Sequence, residues 1–171
     1  LEGALSKYVF KPYSKIFPDL FIAEKNRIFS AIGDDVQIEH IGSTAVPGLG
    51  GKDIIDIAIS SEKKDQILLK IRELGYGFYP EFSTENRLFF KTDRPDPEET
   101  RRTYHIHLMA PQSEELKDML FFREYLKSHP EQAKIYAEIK KRASVEAHED
   151  GNLYRKLKEP FMKEILKKRS R

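Results

Sequence analysis

A chain of 171 residues is the size of one ordinary domain, and at that length roughly 70% of the unfolded surface can be buried around a single core. Its 30 Lys and Arg against 28 Asp and Glu leave a net charge of +2, too small to argue for a polyanion, so a nucleic-acid partner is unsupported. The absence of cysteine excludes disulfides, thiolate zinc sites and a thiol nucleophile; no signal peptide or bilayer-length apolar run is visible, so the expectation is a cytoplasmic protein with no membrane partner.

The opening Leu1-Glu2-Gly3 lacks an initiating Met and reads as a trimmed end without functional weight. Pro18 stands where a helix opens, and Phe21, Ile22, Ile28, Phe29 and Ile32 fall largely on one face before Gly33 ends it. Residues 36–41, Val-Gln-Ile-Glu-His-Ile, read as a strand that runs into a glycine-rich loop over 42–51. Lys52 to Ser60 is apolar on both alternating faces apart from Asp53 and Asp56, the pattern of a central strand covered on two sides. A helix is predicted over 62–74, closed by Gly75; short strands follow at Phe78-Tyr79, 87–91 and 103–109. Between the last two, residues 93–102 carry two prolines and many charges and read as a solvated connection. From Ser113 three helices are predicted: one through Leu116 and Leu126, one opening at Pro130, and one from near Asn152 that Pro160 should kink or interrupt. The order gives an α+β domain over 1–171: a mixed β-sheet flanked by helices, with a helical C-terminal third and no internal repeat.

Asp56 is the first residue that demands a chemical explanation. An ionised carboxylate embedded among isoleucines costs several kcal/mol unless a cation, a metal or a hydrogen-bond network meets it. Satisfaction by scaffold groups and recruitment to a site are both open on position alone. The preceding Gly42-Ser43 turn adds to the second reading, because a small-residue turn after a strand presents N–H and hydroxyl groups to an anion. A sharp turn alone would also explain the glycines. Gly51-Lys52 is no phosphate-binding P-loop: Val46 stands where the first glycine is needed and Asp53 where Ser or Thr is needed. His105 and His107 alternate about Ile106 and leave one face of their strand, within reach of one metal or phosphate, while His40 precedes the Gly-Ser turn. As a metal site the set is incomplete, since zinc takes three or four ligands and magnesium takes oxygens, and each His alone is more often a hydrogen-bonded scaffold residue.

Residues 36–49 followed by Lys52 and Ile54-Ile55-Asp56-Ile57 resemble the signature of the GrpB family, a branch of the nucleotidyltransferase superfamily. His105-Ile106-His107, residues 120–130 and the pairs Tyr136/Lys140 and Tyr154/Lys158 resemble the family's later segments, so the likeness extends from about Tyr13 onward. The resemblance implies a nucleotidyltransferase-like sheet with the Gly-Ser turn after the first core strand. It also implies a nucleoside triphosphate as substrate, held by Gly-Ser, with an Asp-x-Asp or Asp-x-Glu pair and a third acid holding two magnesium ions. Gly42, Ser43 and Asp56 occupy matching places. Ala58 stands where the second acid belongs, and His105 or His107 where the third is expected. On this reading Asp56, His105 and His107 are the candidate catalytic residues, Asp56 and His107 the candidate ligands of Mg2+ or another divalent metal, and Gly42, Ser43, Lys52, His40 and Arg123 the candidates for holding the nucleotide or phosphorylated ligand. The competing expectation is a binding module that keeps the phosphate cradle without transfer. A third, the basic clusters 140–142 and 167–169 as a protein or RNA surface, ranks last because interleaved glutamates make them solvated helix faces.

Overall fold

The computed structural model describes residues 9–170; the reading of residues 1–3 as a trimmed end lies outside them. Five helices, α1 (Phe17–Ile32), α2 (Lys64–Glu73), α3 (Glu114–Ser128), α4 (Pro130–Glu146) and α5 (Gly151–Leu166), surround one sheet. Its strands are β1 (Gln37–Ile41), β2 (Ile55–Ser60), β3 (Gly77–Phe78), β4 (Arg87–Arg94) and β5 (Arg102–Met109), in the spatial order β1-β2-β5-β4-β3. Only the β2–β5 pair is parallel, so the sheet is mixed as expected.

Alternation sorts the two faces. Ile55, Ile57, Ile59, Tyr104, Ile106 and Leu108 pack with α1 and α2 in the main core. Asp56, Ala58, His105 and His107 take the other face, beneath the C-terminal helices. There Ile41, Ala58 and Met109 pack against Leu116 of α3, and Leu126, Ala133 and Tyr136 meet Val46 and Leu49 of the glycine-rich loop. Among the described residues no helix is long and apolar enough to cross a membrane.

Helix starts follow local chemistry. Pro18 opens α1, Pro130 opens α4, and the side chains of Ser113 and Asp150 accept from first-turn N–H groups of α3 and α5. Three expectations change. α5 runs through Pro160 without interruption, because its apolar stripe buries against α4 and outweighs one missing hydrogen bond. β2 starts at Ile55, not Lys52; Asp53 precedes it with φ 56°, and its carboxylate accepts from Lys11 at 3.1 Å and Arg102 at 2.8 Å. The connection after β4 is not simply solvated either. Arg102 is 2% exposed and its Nε donates to Asp96 at 2.7 Å, so opposite charges fold part of the loop inward.

Candidate functional site

β1 ends at Ile41 and the chain turns at Gly42, whose φ of 75° is a conformation that side chains resist. The position needs glycine for a second reason: a Cβ there would stand 2.7 Å from Asp56 Oδ2. Carboxylate and turn are therefore in direct contact. Ser43 to Ala45 form one short 3₁₀ turn, and Ser43 faces Gly51, where an added Cβ would meet Ser43 Oγ at 2.6 Å and Lys140 Nζ at 2.7 Å. Two glycines thus let the loop close down on a hydroxyl, an ammonium and a carboxylate.

On the strands, Asp56 faces His105 across the parallel ladder, and His107 stands one pleat along on the same side. Both rings converge on one carboxylate oxygen: His105 Nδ1 lies 3.3 Å and His107 Nε2 3.2 Å from Oδ1. Burial opposes ionisation of Asp56, but the two imidazole contacts outweigh it and hold the carboxyl well below the usual carboxylate range. Phe89 braces the pair edge-on, its ring centre 4.8 Å from that of His105 and 5.4 Å from that of His107.

Above this floor lies a cavity of about 500 Å³. Gly42, Ser43, Lys52, Asp56, His105 and His107 line its base, while Met119, Phe122, Arg123 and Leu126 of α3 form one wall. Tyr136 and Lys140 of α4 with Tyr154, Arg155 and Lys158 of α5 form the opposite wall. Three of its cations, Lys140, Arg155 and Lys158, were not singled out as site residues by sequence reasoning. Lys140 is 3% exposed, and its pKa is pushed down to about 7 by burial, with Lys158 and Lys52 adding repulsion against the pull of Asp56. Lys158 is pushed down to about 8 by burial and Lys52, again against Asp56. Tyrosine faces support them: Lys140 over Tyr136 at 4.9 Å, and Lys52 and Lys158 over Tyr154 at 4.8 and 4.4 Å.

A sequence signal for these lysines exists. Ala133, Tyr136, Lys140 and Ala143 recur at helical spacing as the buried residues of α4, and Tyr154, Lys158, Phe161 and Ile165 follow the same rhythm on α5. A lysine on an apolar stripe is the anomaly; Lys140 is therefore not part of a solvated basic face with Lys141 and Arg142.

Two expected ligand-holding residues have other work. His40 does not line the cavity: it stacks on Phe21 with ring centres 4.7 Å apart, and its Nε2 lies 2.9 Å from the Thr44 hydroxyl. That hydroxyl donates to the Ile54 carbonyl at 3.0 Å, so His40 Nε2–H is the donor in turn. Burial pushes the His40 pKa down to about 4, which keeps the ring neutral as a brace for the loop. Arg123 does reach the cavity wall, but its Nη1 donates to Glu39 at 2.6 Å and to the His40 carbonyl at 2.9 Å.

The superfamily's two-magnesium arrangement can now be tested against the donors present. Ala58 is buried and offers no ligand. Glu39 shares the face of Asp56 but is held by Arg123, Glu115 is held by Arg87, and Asp118 by Arg169. Among the described residues the one group able to hold an ion is Asp56, His105 and His107, whose ligand atoms lie within 4.8 Å of one another, the reach of a single ion. These residues do not fit a two-magnesium centre.

The comparisons agree with the architecture. A UPF0157 protein of Pseudomonas aeruginosa is 35% identical over 159 residues; the match takes in 91% of this chain, which spans 64% of that relative's length. The crystal structure of the conserved protein GrpB from Enterococcus faecalis superposes with a TM-score of 0.78 at 28% identity, covering 94% of this chain and 98% of that one. The poly(U) polymerase Cid1 with bound MgGTP superposes with a TM-score of 0.54 at 15% identity, over 78% of this chain and 44% of that one, a likeness of fold. The family model described as GrpB protein matches residues 7–168, nearly the whole chain, and this chain belongs to the GrpB family.

Proposed function

We propose that the cavity binds a nucleoside triphosphate or another phosphorylated small molecule and supports phosphoryl or nucleotidyl transfer. The observation that carries this reading is the meeting of Ser43 Oγ and Lys140 Nζ over Gly51, beside the Gly42 turn. A phosphate seated there gains a hydroxyl, a buried ammonium and close approach to the main chain, and Lys52 and Lys158 add charge from the same side. A buried lysine whose charge is disfavoured by its surroundings is a site waiting for an anion. The volume, about 500 Å³, falls in the range of small-molecule pockets.

At the other end of the base, ionised Asp56, flanked by His105 and His107, is the acceptor that orients an attacking hydroxyl. The lysines stabilise charge that develops on the phosphates. A magnesium ion carried by those phosphates would take Asp56 as its protein ligand. The likeness to the MgGTP-bound polymerase supports a nucleotide as the phosphorylated ligand. A second reading, a binding module without transfer, is favoured by one observation, the apolar Ala58 in place of a second acid.

Thermal melting with each nucleoside triphosphate and with inorganic triphosphate, with and without Mg2+ or Mn2+, separates these outcomes. Binding raises the melting temperature of the wild type, and Lys140→Met removes most of the rise. A rise that depends on metal and is lost in Asp56→Ala supports transfer; a metal-independent rise supports the binding module. If no nucleotide and no triphosphate changes the melting curve, the phosphate cradle is wrong.

A further inference from the structure

The Asp56, His105 and His107 cluster has the composition of a metal site, yet one neighbour decides how it can act. Arg87 enters from β4, two residues before Phe89, and its Nη1 lies 3.0 Å from His107 Nδ1. A guanidinium has five N–H donors and no acceptor. The shared contact therefore requires the lone pair on Nδ1, and the neutral ring then carries its proton on Nε2, the atom 3.2 Å from Asp56 Oδ1. The chain of donors runs one way, from Arg87 to His107 to Asp56.

A metal bound through His107 Nε2 needs the lone pair on that nitrogen. The proton would have to move to Nδ1, where it would point at a guanidinium N–H. Arg87 cannot simply turn aside, because its Nε donates to Glu115 Oε2 at 2.9 Å and its Nη2 to the Phe82 carbonyl at 3.4 Å. Phe89 holds the imidazole plane from the side.

We infer that Arg87 is a positioning residue that locks His107 as a hydrogen-bond donor to Asp56 and keeps the cluster from being a free-standing metal site. Only Asp56 and His105 remain as protein ligands, fewer than the three or four that zinc or cobalt needs for tight binding. The free protein consequently leaves transition metals alone, and any ion at Asp56 must bring most of its ligands with it. The inference does not depend on which phosphorylated molecule fills the cavity.

Two measurements on nucleotide-free protein test it. Long-range 15N–1H spectra of the wild type should show His107 with its proton on Nε2 and an unprotonated Nδ1. Titration with Co2+, followed by absorbance and calorimetry, should show binding at least about tenfold tighter in Arg87→Met than in the wild type. Arg87→Lys, which retains a cationic donor, should stay near the wild type, and adding His107→Gln to Arg87→Met should abolish the gain. A wild-type His107 protonated on Nδ1 overturns the inference, as does equal Co2+ affinity in wild type and Arg87→Met. The spectrum of the wild type decides the matter alone if Arg87→Met fails to fold.

Discussion

Replacing Lys140 with Met keeps an unbranched chain over Tyr136 and removes an ammonium that the fold holds at 3% exposure. Burial, with Lys158 and Lys52, brings this lysine from its ordinary 10.5 to about 7. At about 1.36 kcal/mol for each pH unit between the two values, the folded state carries roughly 5 kcal/mol of unfavourable charge burial, an upper bound that relaxation and water entry reduce to about 2–4 kcal/mol. The sign is fixed by linkage: the cost is fully present below the folded pKa, shrinks as pH rises toward the unfolded value, and is gone above it. Lys140→Met should therefore be more stable than the wild type without ligand, by about 5–15 °C in melting temperature near about pH 6.5 for a domain of this size. The gain should fall steadily toward about pH 10. Thermal unfolding followed by circular dichroism across that range measures it. A gain independent of pH, or a loss at every pH, refutes the assignment of Lys140 as a buried, charge-frustrated group. The same variant should bind nucleotide worse, a trade of affinity for stability.

Two further outcomes concern the scaffold. Gly42→Ala forces a Cβ into a φ of 75° and to within 2.7 Å of Asp56 Oδ2, so urea unfolding should show a loss of about 1–3 kcal/mol together with loss of any nucleotide-induced stabilisation. An unchanged midpoint would mean that the turn and the carboxylate are not in contact. Arg102→Met leaves Asp96 and Asp53 without their shared cation and should cost about 3–5 kcal/mol in the same assay, whereas an effect under about 1 kcal/mol would place this network at the solvated surface.

Period and turn chemistry made the floor of the site legible. Alternation put His105 and His107 on one face of their strand and the glycines located the turn, while the β2–β5 pairing that sets Asp56 beside them is seen only in the fold. The walls were harder to read because they depend on docking. Lys140 and Lys158 sit within helices dense in charge, and only their place on the apolar rhythm separates them from solvated neighbours such as Lys141. Arg87 was hidden for another reason: the register that brings it to His107 is a pairing between β4 and β5 that no local pattern specifies. His40 misled by its nearness in sequence to the turn. Its side chain leaves the strand on the opposite face from Glu39 and Ile41, and there it braces Thr44.

Lys52 arrives from the loop before β2, whereas Lys140 and Lys158 arrive from helices about ninety residues or more later, so like charges from distant parts of the chain press on one seam. That mutual repulsion acts as a compressed spring between the sheet and its helical cover. An anion lodged among the three would turn the spring into a clasp, and its arrival would register far from the contact itself as slower amide exchange along α4 and α5.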